Sequence, residues 1–163
     1  MEAVTGWDNF FLGQLGASAA LGGLLFVSIS INLDRILAFP HLPNRAMLAI
    51  LLLLGVLIVS ALMLIPGLPL GVAGGLTQAI ALLVFGVGTS IEVRAARSQE
   101  DGKRAAFAVN VVLFVAAVVP YGIGGILLLL GDTGGVYWIA AAILFSIIKA
   151  VLDAWVLLVE IHR

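Results

Sequence analysis

Five apolar runs, separated by short connections, constrain this chain more than any other feature of its sequence. Each is about as long as the roughly 20 residues that an α-helix needs to cross the hydrocarbon core of a bilayer. The runs lie at residues 10–33, 46–65, 71–94, 105–130 and 136–160. They predict an all-α integral membrane bundle of five transmembrane helices, which forms a single transmembrane domain over residues 1–163.

The composition favours the same class. Of the 163 residues, 63% are hydrophobic and only 10% are charged, whereas soluble domains carry about 25% charged residues. So few charges cannot cover a water-facing surface, and we expect the lipid bilayer to be the main surrounding of the protein. The net charge of −1 provides no basic surface for nucleic acid, and the absence of cysteine excludes disulfides and thiolate metal sites.

Basic residues divide unequally between the two ends of the predicted bundle. With five helices, the first and third connections and the C-terminus share one side, which holds Arg35, Arg45, Arg94, Arg97, Lys103, Arg104 and Arg163. The eighth basic residue, Lys149, lies inside the last run. The positive-inside rule therefore predicts that the N-terminus is outside and the C-terminus cytoplasmic. Because the first residues hold Glu2 and Asp8 but no Lys or Arg, we do not expect a cleaved signal peptide.

Lys149 and Asp153 lie one helical turn apart near the middle of the last apolar run. A charge at the bilayer centre costs roughly 3 kcal/mol or more, so such residues are rare and are candidates for function. Two interpretations remain open. The two residues form a mutually satisfied pair that fixes helix packing, or they control the passage of an ion. Because a lysine that precedes its acid is the weaker order on an isolated helix, we also expect a partner on another helix.

Polar residues form one stripe on each of four predicted helices. The stripes are Gln14, Ser18, Gly22, Ser28 and Asn32 on the first helix, Gln78, Thr89 and Glu92 on the third, Asn110 and Tyr121 on the fourth, and Ser146, Lys149, Asp153 and Glu160 on the fifth. This pattern favours a shared polar interior that opens to the cytoplasm, although polar residues also serve as contacts between helices. The second helix, residues 46–65, has almost no polar side chain, and we expect it to face lipid.

Glycine and proline occur inside two of the predicted helices, where they affect helix geometry and packing. The sequence Pro120-Tyr121-Gly122-Ile123-Gly124-Gly125 predicts that the helix is interrupted at Pro120, Gly122, Gly124 and Gly125, by a simple kink in preference to a full break. Broken helices build substrate sites in some transporters, because the freed carbonyl groups can bind cations. In the first helix, small residues recur four apart, as at Gly16 and Ala20, and this spacing favours close packing against another helix.

No catalytic or cofactor motif is present in the sequence. The two histidines, His41 and His162, lie outside the apolar runs, so a haem held by two histidines inside the bundle is not expected. Asp34, Glu92 and Glu160 lie toward the same side as the histidines, but their spacing matches no metal-ligand motif. We therefore predict a protein that is not an enzyme and that carries no cofactor and no metal.

The first helix carries the segment Gly16-Ala-Ser-Ala-Ala-Leu-Gly-Gly-Leu-Leu-Phe-Val-Ser-Ile-Ser-Ile-Asn32-Leu33. This segment resembles a group of small, functionally uncharacterised, multi-span bacterial inner-membrane proteins, some of which are labelled as modulators of a membrane AAA protease. The resemblance covers roughly the first 35 residues. It implies a multi-pass protein of the bacterial inner membrane and transfers no site residue.

Two functions follow from these observations as expectations. The first is conduction or transport of a small ion or proton through a polar helix-bundle interior, in which Lys149 and Asp153 control passage. The alternative is a non-catalytic membrane subunit that binds or regulates another membrane protein. The small residues of the first helix also lead us to expect a homo-oligomer.

Overall fold

Six α-helices make up most of the chain that the computed structural model describes, which comprises residues 6–39, 42–97 and 104–161. They are α1 (Asp8–Ile31), α2 (Leu33–Ala38), α3 (Leu42–Met63), α4 (Leu70–Arg97), α5 (Arg104–Leu129) and α6 (Gly135–Ile161). All except the short α2 are long and apolar enough to cross a membrane. The predictions of an all-α fold and of five apolar helices are therefore confirmed.

Helices α3, α4, α5 and α6 pack together as a bundle, and α1 lies against its outside. Helix α4 contacts α5, α5 contacts α6, and α3 contacts both α4 and α6. Helix α1 packs mainly on α3 and touches α6 only slightly. We call the end of the bundle where α1, α4 and α6 finish the basic end, because Arg45 and Arg94 lie there. The turns at residues 64–69 and 130–134 lie at the opposite end, which we call the far end.

Helix α3 packs against α1, α4 and α6 and is the most buried of the five long helices, so the prediction that it faces lipid is wrong. In the 18-residue apolar segment of α3 that is long enough to cross a membrane, 56% of the residues are buried. This is the largest share for any of the five long helices. Leu52, Val56 and Val59 are almost completely buried against neighbouring helices. A helix that is apolar all round fits a protein core as well as it fits lipid, so its lack of polar residues did not reveal its position.

Helix α5 runs without interruption through Pro120, so a full break is absent. The glycines after Pro120 bring helices together instead. A methyl group on Gly124 would lie 2.7 Å from the carbonyl oxygen of Gly135 in α6. A methyl group on Gly125 would lie 3.1 Å from the carbonyl oxygen of Gly74 in α4. The backbone of α5 therefore approaches both α4 and α6 so closely that side chains would not fit.

Candidate functional site

A cluster of buried polar side chains lies between α3, α4, α5 and α6, toward the basic end. We call Arg45, Glu92, Asn110, Lys149 and Asp153 the charge cluster. Lys149 is completely buried, and Asp153 and Glu92 are 2% and 6% exposed. Three of the four bundle helices thus contribute a charged residue and the fourth contributes an amide. The expectation that Lys149 has a partner on another helix is confirmed.

Lys149 lies between two carboxylates that come from different helices. Its Nζ forms an ion pair with Asp153 Oδ2, one turn further along α6. The same Nζ lies 3.9 Å from Oε1 of Glu92 in α4. Attraction between opposite charges is strong where water is excluded, so both contacts hold the ammonium group in place between the two helices. Lys149 therefore links α4 to α6 through a single ammonium group.

Asp153 has a second cationic partner, Arg45, close to the start of α3. The guanidinium Nη1 of Arg45 donates to Asp153 Oδ1 over 3.4 Å. Unlike the other charged members of the cluster, the Arg45 side chain is partly exposed, at 26%. It therefore provides a polar connection between the buried carboxylate and the basic end of the bundle.

Glu92 receives a hydrogen bond from the fourth helix of the bundle. The amide Nδ2 of Asn110 in α5 donates to Glu92 Oε1 over 2.6 Å. A hydrogen bond to an ionised group is stronger than one between neutral groups. The amide holds the Glu92 side chain on the α5 side of α4, while Lys149 approaches the same oxygen from α6.

The formal charges of the cluster cancel, because two side chains are cationic and two are anionic. Removing one member of a buried ion pair typically costs about 3–5 kcal/mol, because the other charge is then left uncompensated. The arrangement can therefore act as a structural lock between helices. It also places two carboxylates on either side of one ammonium, so a proton added to either carboxylate changes which contact the ammonium favours.

The predicted polar stripe of α1 does not join the charge cluster. Gln14, Ser28 and Asn32 are each half-buried. The Asn32 amide donates to the carbonyl oxygen of Ser28 in its own helix, 3.0 Å away. Helix α1 contacts neither α4 nor α5 within the described residues. The polar interior is therefore formed by α4, α5 and α6 together with Arg45 of α3, and the prediction that the stripe of α1 lines it is wrong. The spacing of polar residues shows which of them share one face of a helix. It does not show which other helix that face contacts.

A second group of buried polar residues lies on the far-end side of the charge cluster. Ser146, one turn before Lys149, donates to the carbonyl oxygen of Ala117 over 3.4 Å. Four more buried side-chain oxygens within the described residues make no hydrogen bond of acceptable distance and angle; they belong to Ser60, Thr77, Gln78 and Tyr121. Buried polar atoms of this kind are commonly satisfied by internal water.

The sequence predicted Gln78 and Tyr121 as interior residues but did not point to three others, the partly exposed Arg45 and the buried Ser60 and Thr77. Arg45 was assigned to a connection, although it lies within α3 and reaches the buried Asp153. Ser60 and Thr77 are both fully buried. Ser60 is the one hydroxyl residue in the otherwise apolar run at residues 46–65. Its isolated position in that run is the feature of the sequence that could have indicated a buried polar contact.

No group of three or more potential metal ligands occurs within the described parts of the chain. Lys149 already occupies the position between the carboxylates of Glu92 and Asp153. His41, His162 and the side chain of Glu160 lie outside what the structure describes. Comparison of the chain with protein-family models, with curated proteins and with solved structures found no match.

Proposed function

We propose that this multi-pass membrane protein conducts or transports a small ion, most simply a proton, through the polar interior between α3, α4, α5 and α6. The observation that carries the proposal is the charge cluster, in which Lys149 lies buried between Glu92 and Asp153. Ionisable residues inside a membrane are costly and commonly mark ion pathways and proton relays. In the predicted topology the basic end is cytoplasmic.

Two features favour a proton over a metal cation. A metal ion at Glu92 and Asp153 would have to displace the ammonium of Lys149, whereas a proton can bind a carboxylate and release the ammonium toward the other one. Polar groups also continue away from the cluster, from Ser146 to the buried hydroxyl of Tyr121 and the buried amide oxygen of Gln78. Together with Arg45 at the basic end, these groups outline a polar route through much of the bundle.

The experiment is a proton-flux measurement on purified protein in liposomes that enclose a pH-sensitive dye. A potassium gradient with valinomycin imposes the membrane potential. We expect flux above that of protein-free liposomes, and we expect Glu92→Gln and Asp153→Asn each to reduce it at least tenfold. Asp132→Asn is the matched control, because Asp132 is an exposed acid in the far-end turn. Flux equal to that of empty liposomes, or parental flux in folded Glu92→Gln and Asp153→Asn proteins, would contradict the proposal.

A second candidate is supported by the exposed face of α1. Gly13, Gly16, Ala20 and Gly23 recur at alternating steps of three and four residues, and all are exposed. A methyl group built on any of these three glycines meets nothing within 4 Å. Small residues that line one face of a membrane helix allow a second helix to approach closely. The alternative is therefore a non-catalytic subunit that binds another membrane protein, or a further copy of itself, through α1.

The subunit size in detergent distinguishes these cases from one another. If α1 binds a second copy, the wild type is larger than a monomer by light scattering, and Gly16→Ile with Gly23→Ile returns it to a monomer. If α1 binds a different membrane protein, the purified protein is monomeric and the same substitutions abolish co-purification of that partner from native membranes. The resemblance of the first helix to small bacterial inner-membrane proteins favours a test in a bacterial membrane.

A further inference from the structure

A lateral groove between α4 and α5 reaches Glu92 from the membrane-facing side of the bundle. The cavity measures about 480 Å³, which is within the range of pockets that hold drug-sized ligands. Its walls are mainly apolar and aromatic and include Phe85, Phe107 and Phe114. The rings of Phe85 and Phe114 are nearly parallel, with centroids 6.4 Å apart. The polar residues of the lining are Thr89 and Glu92.

Several residues that line the groove are exposed on the side of the bundle. Phe85, Val93 and Val115 line it and are 45%, 44% and 42% exposed. These residues lie on helices that are long and apolar enough to cross a membrane, so in a bilayer the surface around the opening would meet acyl chains. A ligand that enters here must first dissolve in the membrane, and this requirement selects molecules with a large apolar body.

Glu92 is the less compensated of the two acids in the charge cluster. Asp153 has an ion pair with Lys149 and a hydrogen bond from Arg45. Glu92 has the neutral amide of Asn110 and shares the same Lys149 at 3.9 Å. The bottom of the groove therefore combines the acid that has fewer cationic partners with aromatic walls, which also attract cations.

We propose that this groove binds a lipophilic monocation, such as an ammonium or phosphonium ion with an aromatic or branched apolar body. Its charge lies next to Glu92 and its apolar groups lie against Phe85, Phe107 and Phe114. Among the residues that the structure describes, the lining offers a carboxyl group and a hydroxyl but no basic side chain, so its polar groups suit a cation better than a phosphate. The proposal goes beyond proton or ion conduction and does not depend on it.

The test is saturation binding of radiolabelled tetraphenylphosphonium to the purified protein in nanodiscs. Tetraphenylborate, which has nearly the same size and shape but a negative charge, is the ligand control. The protein variants are Glu92→Gln and Val115→Trp, of which the second fills the mouth of the groove. Val119→Trp is the matched control, because Val119 is 41% exposed on the same helix, one turn away, and does not line the groove.

We expect saturable binding of the cation that weakens at least tenfold in both Glu92→Gln and Val115→Trp and is unchanged in Val119→Trp. Tetraphenylborate should not compete. Absence of saturable binding, equal affinity for the anion, or parental affinity in Val115→Trp would overturn the proposal. If Glu92→Gln does not fold, the comparison of Val115→Trp with Val119→Trp still decides the result. Proton flux is measured separately, so either proposal can fail without the other.

Discussion

Lys149 and Glu92 lie on different helices, yet the ammonium nitrogen of one is 3.9 Å from a carboxylate oxygen of the other inside the helix bundle. Both side chains are buried, and each has a further partner in the same cluster, Asp153 for the lysine and Asn110 for the acid. The contact therefore joins two pairs of residues into one network across α4, α5 and α6, and the hydrogen bond from Arg45 to Asp153 extends this network to α3.

Because Lys149 and Asp153 belong to this larger network, we expect that replacing both of them with apolar residues does not restore the full stability of the protein. Lys149→Met alone leaves Glu92 and Asp153 buried with Arg45 as the one cation of the cluster, and we expect a loss of about 3–5 kcal/mol of stability. Replacing both residues, as Lys149→Met with Asp153→Leu, should recover only part of that loss, because Arg45 and Glu92 then lose their partners. Thermal unfolding in detergent micelles measures both variants. Full recovery in the double variant would show that the pair is independent of Glu92 and Arg45.

The hydrogen bond from Asn110 should contribute more than a hydrogen bond within one helix. Asn110→Ala leaves the Glu92 carboxylate without its amide donor, and we expect a loss of about 1.5–3 kcal/mol, as for a hydrogen bond to a charged group. Asn32→Ala is the control, because that amide contacts a carbonyl of its own helix. Chemical unfolding of the two variants side by side checks the difference. Equal losses would argue that Glu92 gains nothing from α5.

The contact between α5 and α6 should not tolerate a methyl group. In Gly124→Ala the new carbon would lie 2.7 Å from the Gly135 carbonyl oxygen, so the helices must separate, at a cost of about 1–3 kcal/mol. Gly23→Ala is the matched control in α1, where a methyl group meets nothing within 4 Å. We expect a lower melting temperature for the first variant and no decrease for the second. A Gly124→Ala protein as stable as the parent would mean that α5 and α6 can move apart freely.

Topology is tested with reporters placed at the two ends of the bundle. A fusion after Arg163 should be active as a cytoplasmic reporter, and an insertion at Asp132, in the exposed far-end turn, should be active as an external one. The measurement uses a paired phosphatase and fluorescent-protein reporter at each site. Both sites reporting the same side would be incompatible with five membrane-spanning helices.

The charged core of the site was predictable because ionisable residues inside apolar runs are rare. Lys149, Asp153, Glu92 and Asn110 were each identified from sequence, and the structure brings all four together. The position of α3 was not predictable from hydropathy, because protein interior and lipid favour the same side chains. Pro120 and the glycines after it were interpreted as an interruption, although the glycines allow close helix contacts. A one-dimensional pattern does not distinguish these two uses of glycine.

The order in which the helices are synthesised determines when the charge cluster can form. Arg45 and Glu92 leave the ribosome first, and Asn110 follows in α5, so Glu92 has no ammonium partner until the last helix arrives. Lys149 and Asp153 enter together on one turn of α6, which therefore carries its own counter-ion through the insertion machinery. Completion of the network is thus a late event. A chain truncated before α6 would retain Glu92 without the ammonium of Lys149, and Arg45 without the carboxylate of Asp153.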